Sequence, residues 1–293
     1  MRLTTFKVGT EVGLATARDN RLIGLFASDR RYPGRLEDLI AQGRPALADA
    51  ESVISQGDVF DPNTISFLPP LSRPGKIICV GLNYREHSKE SGFAQPDYPT
   101  LFGRFPSSLI GHGAPIVAPD FSDSLDFEGE LVAVIGTGGR FIPKVSALDH
   151  VIGYSVFNDG SIREYQFKTP QWTMGKNFDD TGAFGPAFVS ADELPLGGRG
   201  LKLETRLNGK VVQSASTDDL VFDVATLVST ISEAITLEPG DIIVTGTPSG
   251  VGHSRSPRLY MQPGDVCEVE IEGVGLLRNT IVSQSNEAIT AAA

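Results

Sequence analysis

Cysteine is scarce in this 293-residue chain: only Cys79 and Cys267 occur, each inside an apolar stretch. That pattern argues against a disulfide framework or a zinc site and for two buried, reduced thiols. Basic residues are also in deficit, 25 against 36 acidic, for a net charge of −11. With no basic stripe to exchange for counterions, nucleic acid is excluded as an expected partner. The same field repels anionic ligands, so any anion site needs a local cation, for which Lys176 and Arg163 are the candidates. No apolar run approaches the roughly 18 residues of a membrane span, and the leading MRLTTFKVGTEVGL has charges interrupting its apolar residues. A cytoplasmic protein without a membrane partner is the expectation.

What the chain has in quantity is glycine and proline, 32 and 19 residues, set between short apolar strands. This texture predicts an α+β, mainly β fold, a roll or barrel with many tight turns. Residues 1–70 read as a small N-terminal α+β domain, with strands at RLTTFKV and EVGLATAR and helices at RLEDLIAQG and ALADAESVISQG. Pro69, Pro70 and Pro74 in FLPPLSRPGK mark a hinge before residues 71–293. Beyond it, Asn208-Gly209 centres an alternating hairpin. In VCEVEIEGVG, Cys267, Val269 and Ile271 alternate with Glu268, Glu270 and Glu272, a half-buried strand with a solvated glutamate face. Asp223 caps a helix whose apolar stripe is Val224, Leu227, Val228, Ile231 and Ile235. The terminal AITAAA reads as a frayed tail.

Two carboxylates, Glu128 and Glu130, stand one residue apart in SLDFEGELVAVIG, and Asp159 ends the apolar run VIGYSVFND. Residues i and i+2 of a strand share a face, so the glutamates can aim at one point and the aspartate can close a triangle. Three anions packed that closely repel, and a hard divalent cation with oxygen ligands relieves the repulsion. Taken alone, Glu-x-Glu is a weak signal, since carboxylates spaced by two usually mark only the solvated face of a strand. His87 and Glu90, three residues apart, become a base and its orienting carboxylate if they lie on a helical turn, or a surface pair if exposed. A helix starting at Asp159 would align that residue with Arg163 and Gln166. Lys176 stands among Trp172, Met174 and Phe178, where a lysine needs a partner, and Thr247 in the Gly246–Gly250 turn can offer a hydroxyl to an anion.

In combination and order, the segments GLNYREHSKE (81–90), DFEGELVAVIG (126–136), GYSVFNDGSIREYQ (153–166), QWTMGKNFDDTGAFGPAF (171–188) and DIIVTGTPSGVG (241–252) resemble the fumarylacetoacetate hydrolase family over residues 71–282. The resemblance implies a mixed β-sandwich roll, a homodimer, and Mg²⁺ or Mn²⁺, with Ca²⁺ as a third option, held by Glu128, Glu130 and Asp159. It implies His87, Glu90 and Lys176 as catalytic residues, and Arg163, Gln166 and Thr247 as substrate-binding ones. Arg104, in the loop PTLFGRFPSSLIGHG, falls where members carry substrate-facing residues. His112 reads as structural, while His150 and His253 receive no role. The implied reaction is metal-dependent hydrolysis of the C3–C4 bond of a 2,4-diketo acid, in aromatic catabolism or a related route, giving a 2-oxo acid such as pyruvate and a carboxylic acid. Oxaloacetate decarboxylation and keto-enol isomerisation are the alternatives, and a non-catalytic metal-stabilised binder of small acids is a further one.

Overall fold

Asn208 and Gly209 both take positive φ, 52° and 76°, the backbone that a two-residue hairpin turn requires to match strand twist. They join Lys202–Leu207 to Lys210–Ser216. In this computed structural model, which describes residues 1–18, 21–92 and 94–285, the hairpin forms one edge of a five-stranded sheet. The order is Lys210–Ser216, Lys202–Leu207, Val266–Ile271, Gly275–Ser283 and Ile116–Ala118. Along Val266–Ile271 the alternation is as expected: Cys267, Val269 and Ile271 are buried. On the other face Arg206 pairs with Glu268 and Glu270 at 3.1 and 2.8 Å.

A twelve-stranded mixed sheet faces it. Its path runs Asp58–Phe60, Arg21–Phe26, Glu11–Arg18, Arg2–Val8, Gly182–Ser190, Val151–Asp159, Gly129–Ile135, Ile242–Val244, Ile77–Gly81 and Thr100–Gly103. Every residue of Gly129–Ile135 and Val151–Asp159 is buried, which explains why these strands read as unbroken apolar runs rather than alternating ones. Leu131, Ala133 and Ile135 pack toward the five-stranded sheet and the helix Val224–Ala234. Val132 and Val134 pack on the other face against Leu36, Leu39, Ile40 and Leu47. Those four residues come from the helices Leu36–Gln42 and Arg44–Ile54 of the leading segment. The same segment joins the large sheet directly, since Leu3 of Arg2–Val8 is the antiparallel partner of Phe188. The fold is therefore α+β and mainly β.

Asp223 caps Val224–Ala234 by accepting the Thr226 N–H at 2.8 Å. The expected stripe is buried up to Ile231, but Ile235 does not belong to it. The helix ends at Ala234, Ile235 is extended and 37% exposed, and the chain leaves to form a two-bond bridge between Leu237 and Gly139. The expected helix starting at Asp159 is also corrected. Asp159 donates its N–H to Glu128 O at 2.9 Å and so completes its strand, and the helical turn spans only Arg163–Gln166. Both cysteines are buried free thiols. The AITAAA tail lies outside the described residues, and among those residues no helix is long and apolar enough to cross a membrane.

Candidate active site and metal centre

The antiparallel ladder itself assembles the acidic triangle. Gly129 pairs with Asn158 and Glu130 with Phe157, which sets Glu128 beside Asp159 at the end of the neighbouring strand. Gly129 turns toward the other sheet, where an added Cβ would meet Thr205 Oγ1 at 2.3 Å, so no side chain separates the sheets between the two glutamates. Glu128, Glu130 and Asp159 are all buried, and one carboxylate oxygen from each lies within 4.8 Å of the others. This disposes of the solvated-strand alternative for Glu-x-Glu.

Cations hold the triangle from behind. Lys176, 2% exposed, reaches Glu128 Oε2 at 2.5 Å and Asp159 Oδ2 at 2.7 Å. Arg163 spreads its guanidinium over Asp126 Oδ2 (2.8 Å), Gln166 Oε1 (2.8 Å) and Glu128 Oε1 (2.5 Å). Arg104 bonds Asp159 Oδ1, Gly160 O, Thr181 Oγ1 and Ser108 Oγ. Its side chain is fully buried, so it stands behind Asp159 as a support rather than at the cavity wall. Glu130 instead accepts the Gly246 N–H at 2.5 Å.

These surroundings divide the carboxylates. Burial raises the Glu128 pKa, but Arg163 and Lys176 more than reverse it and hold the group below the usual carboxylate range. Burial raises Glu130 too, and there the charges of Asp159 and Glu128 add to it, leaving it well above that range. For Lys176, burial favours loss of the proton, but Asp159 and Glu128 override it and keep the ammonium charged. Lys176 is thus a fixed cation and not a base. Together with Asp126, four carboxylates face three cations, and with the proton held on Glu130 the charges balance; loss of that proton leaves one negative charge in excess. A divalent cation would reverse that sign and make the pocket receptive to an anion, and three buried oxygen donors fit Mg²⁺, Mn²⁺ or Ca²⁺.

His87 lies on the short helix Arg85–Glu90, 7% exposed, with Nδ1 3.0 Å from Glu90 Oε1. A carboxylate partner fixes Nδ1 as the protonated nitrogen and leaves the Nε2 lone pair available. His87, Glu128, Glu130, Arg163, Gln166, Lys176 and Thr247 line one cavity of about 240 Å³, with Phe102, Phe167 and Trp172 as its aromatic wall. Thr247 Oγ1 donates to Gly129 O at 3.0 Å and accepts from Gln213 Nε2 at 2.9 Å. His112 is structural: its Nδ1 accepts the Arg278 N–H at 3.1 Å and its ring meets Phe67 edge-on.

Two residues of the site escaped sequence reasoning. Asp126 is wholly buried and accepts from Arg163 Nε, Phe127 N, Gly252 N and His253 N. Its signal was the Asp two residues before Glu128, which extends the alternation to Asp-x-Glu-x-Glu. Gln213 joins the sheets by accepting the Gly129 N–H while donating to Thr247 and Pro248. Nothing in VVQSAS announces it.

This is the architecture of an enzyme with a buried acidic triad that could hold a metal ion. The fumarylacetoacetate (FAA) hydrolase C-terminal profile matches residues 76–282, and the chain belongs to that family. Among curated relatives, the mitochondrial oxaloacetate tautomerase FAHD2A of Homo sapiens is 38% identical over 289 residues, 96% of this chain and 92% of the relative. The solved fumarylacetoacetate hydrolase of the psychrophile Exiguobacterium antarcticum superposes with a TM-score of 0.82 at 35% identity, covering 97% of this chain and all of the other. Maleylpyruvate hydrolase of Sphingobium sp. SYK-6, solved with manganese(II) and pyruvate, has a TM-score of 0.79 at 27% identity over 97% and 99% of the two chains.

Proposed function

We propose that this protein catalyses keto-enol exchange in a small 2-oxo dicarboxylic acid of the oxaloacetate kind, with a divalent cation at Glu128, Glu130 and Asp159. The carrying observation is His87, buried, oriented by Glu90 and set in the same cavity as Glu128 and Glu130 of the acidic triangle. The name of the FAHD2A relative, which aligns over nearly the whole chain, supports the reaction type.

When bound, the cation supplies Lewis-acid polarisation of the 2-oxo oxygen and offsets anionic charge. His87 Nε2 takes a proton from C3, and the bonding pair moves into a C2–C3 double bond as the 2-oxo π pair moves onto oxygen. Glu90 stabilises the imidazolium that results. His87 then returns the proton to O2, completing the enol with no net change in atoms or charge. Lys176 and Arg163 hold fixed positive charge near the developing oxyanion, where preorganisation contributes most. Phe102 and Trp172 limit water in the cavity.

Hydrolysis of an acylpyruvate is the second reading. The same His87–Glu90 pair can deprotonate a water for attack on the 4-carbonyl, with C3–C4 cleavage. The manganese and pyruvate in the maleylpyruvate hydrolase structure favour it. One experiment separates the two. Enol oxaloacetate is added to the protein with Mg²⁺ or Mn²⁺ and decay of the enol is followed by absorbance while pyruvate is assayed, with acetylpyruvate in parallel and EDTA as control. Accelerated, metal-dependent enol decay without pyruvate release supports tautomerisation, and cleavage of acetylpyruvate alone selects hydrolysis. Neither reaction, together with metal-dependent stabilisation, leaves a binder of small acids.

A further inference from the structure

His253 has no part in the chemistry above, yet it stands at a particular place. It lines the catalytic cavity together with Ser254, and also a neighbouring outer pocket lined by Phe121, Arg258 and Tyr260. With Arg163 and Phe167, which also line both, it forms the partition between the two. Its backbone N–H is bonded to Asp126 Oδ2 at 2.9 Å, the same carboxylate that grips Arg163. The imidazole therefore has a fixed position relative to the catalytic residues.

The ring's tautomer follows from its partners. His253 Nδ1 is 2.7 Å from the Tyr260 hydroxyl. The positive charge of Arg258 acts on that phenol, which favours turning the oxygen lone pairs toward the guanidinium and the phenol proton toward His253 Nδ1. A neutral imidazole that accepts at Nδ1 carries its hydrogen on Nε2. Burial, Arg163 and Arg258 all lower the ring's pKa and favour this neutral form. Nδ1 is committed to Tyr260 on the outer side, and Nε2–H remains as the donor for the cavity.

We propose that His253 is a specificity-determining residue whose Nε2–H, set by the Tyr260 hydroxyl at Nδ1, receives the distal carboxylate of a dicarboxylic substrate. This rests on the reading of the cavity as a 2-oxo-acid site and adds how it selects among such acids. The proximal carboxylate and 2-oxo group belong to the acidic triangle and its cations. The far end of the ligand meets the wall formed by His253 and Ser254. A ligand without a distal carboxylate gains nothing from His253.

Binding is read by calorimetry in Mg²⁺ with two unreactive ligands: malate, which carries a distal carboxylate, and oxalate, which does not. In His253→Ala, malate should bind about tenfold more weakly, the loss of one hydrogen bond to a charged group, while oxalate stays within about twofold. His253→Gln, which keeps a donor, should recover part of the malate affinity. Tyr260→Phe, which releases the tautomer, should fall between wild type and His253→Ala. For oxaloacetate turnover the change should lie in KM, with kcat little altered. Unchanged malate binding in His253→Ala, or an equal loss for malate and oxalate, overturns the assignment. Failure of the wild type to turn over oxaloacetate would instead overturn the tautomerase reading, and the malate–oxalate contrast would still be measured.

Discussion

Both carboxylate oxygens of Glu90 accept the backbone N–H of Gly250, at 3.0 and 2.9 Å. The helical turn bearing His87 is thereby fastened to the loop bearing Thr247, and His87 takes its position from a segment 160 residues away from Glu90. Removing that fastening in Glu90→Ala should lower kcat by about 10–100-fold while Mg²⁺ affinity stays near wild type, because the triangle is untouched. Steady-state kinetics alongside metal titration checks both halves. An equal loss in metal affinity would show that Glu90 serves the whole site rather than His87.

The acidic triangle makes a separate prediction. Glu130→Gln removes one oxygen anion from a set of three, and should weaken Mg²⁺ and Mn²⁺ binding by at least about tenfold. The thermal stabilisation that either metal gives the wild type should shrink accordingly. Equal metal-induced shifts in Tm for wild type and variant would count against the centre.

Asp126 holds Arg163 and three backbone donors while wholly buried. Asp126→Asn leaves part of that guanidinium without its counter-charge and should cost about 3 kcal/mol, the usual penalty for breaking a buried pair on one side. Urea unfolding followed by circular dichroism measures it. A midpoint within error of wild type would mean that Glu128 alone satisfies Arg163.

His112 carries a pH prediction. Burial first, and then the charge of Arg278, lowers its pKa below the ordinary value. The unfolded chain therefore binds a proton near pH 6.5 that the folded chain still refuses. The stability tied to His112 is complete above about pH 6.5 and is lost as pH falls through the lower folded value. Between pH 8 and 5 the wild type should lose more stability than His112→Gln, measured as urea midpoints at matched ionic strength. Parallel decline in the two proteins would remove His112 as a contributor.

What could be read from the chain was local. The two-residue spacing of Glu128 and Glu130, the three-residue spacing of His87 and Glu90, and the Asn208-Gly209 turn are set by neighbours in sequence. All three features appear in the fold. The Ile235 and Asp159 expectations failed for one reason: helical periodicity was extended across a point where a distant backbone offered a better hydrogen bond, Gly139 in one case and Glu128 in the other. Gln213 and the support from Arg104 were invisible because their partners lie 84 and 55 residues away. A side chain's meaning there depends on which strands become adjacent, and periodicity does not encode adjacency.

The pairing of Leu3 with Phe188 has a practical corollary for protein engineers. An excised fragment beginning after the proline-rich stretch would bare the Phe188–Ser190 end of the strand Gly182–Ser190, whose amides and carbonyls would then be open to any other extended chain. That strand lies directly alongside the one ending in Asp159, so self-association there would be felt at the triangle. A minimal version of this enzyme would need a replacement for Arg2–Val8, or a proline or lysine placed to deter unwanted strands.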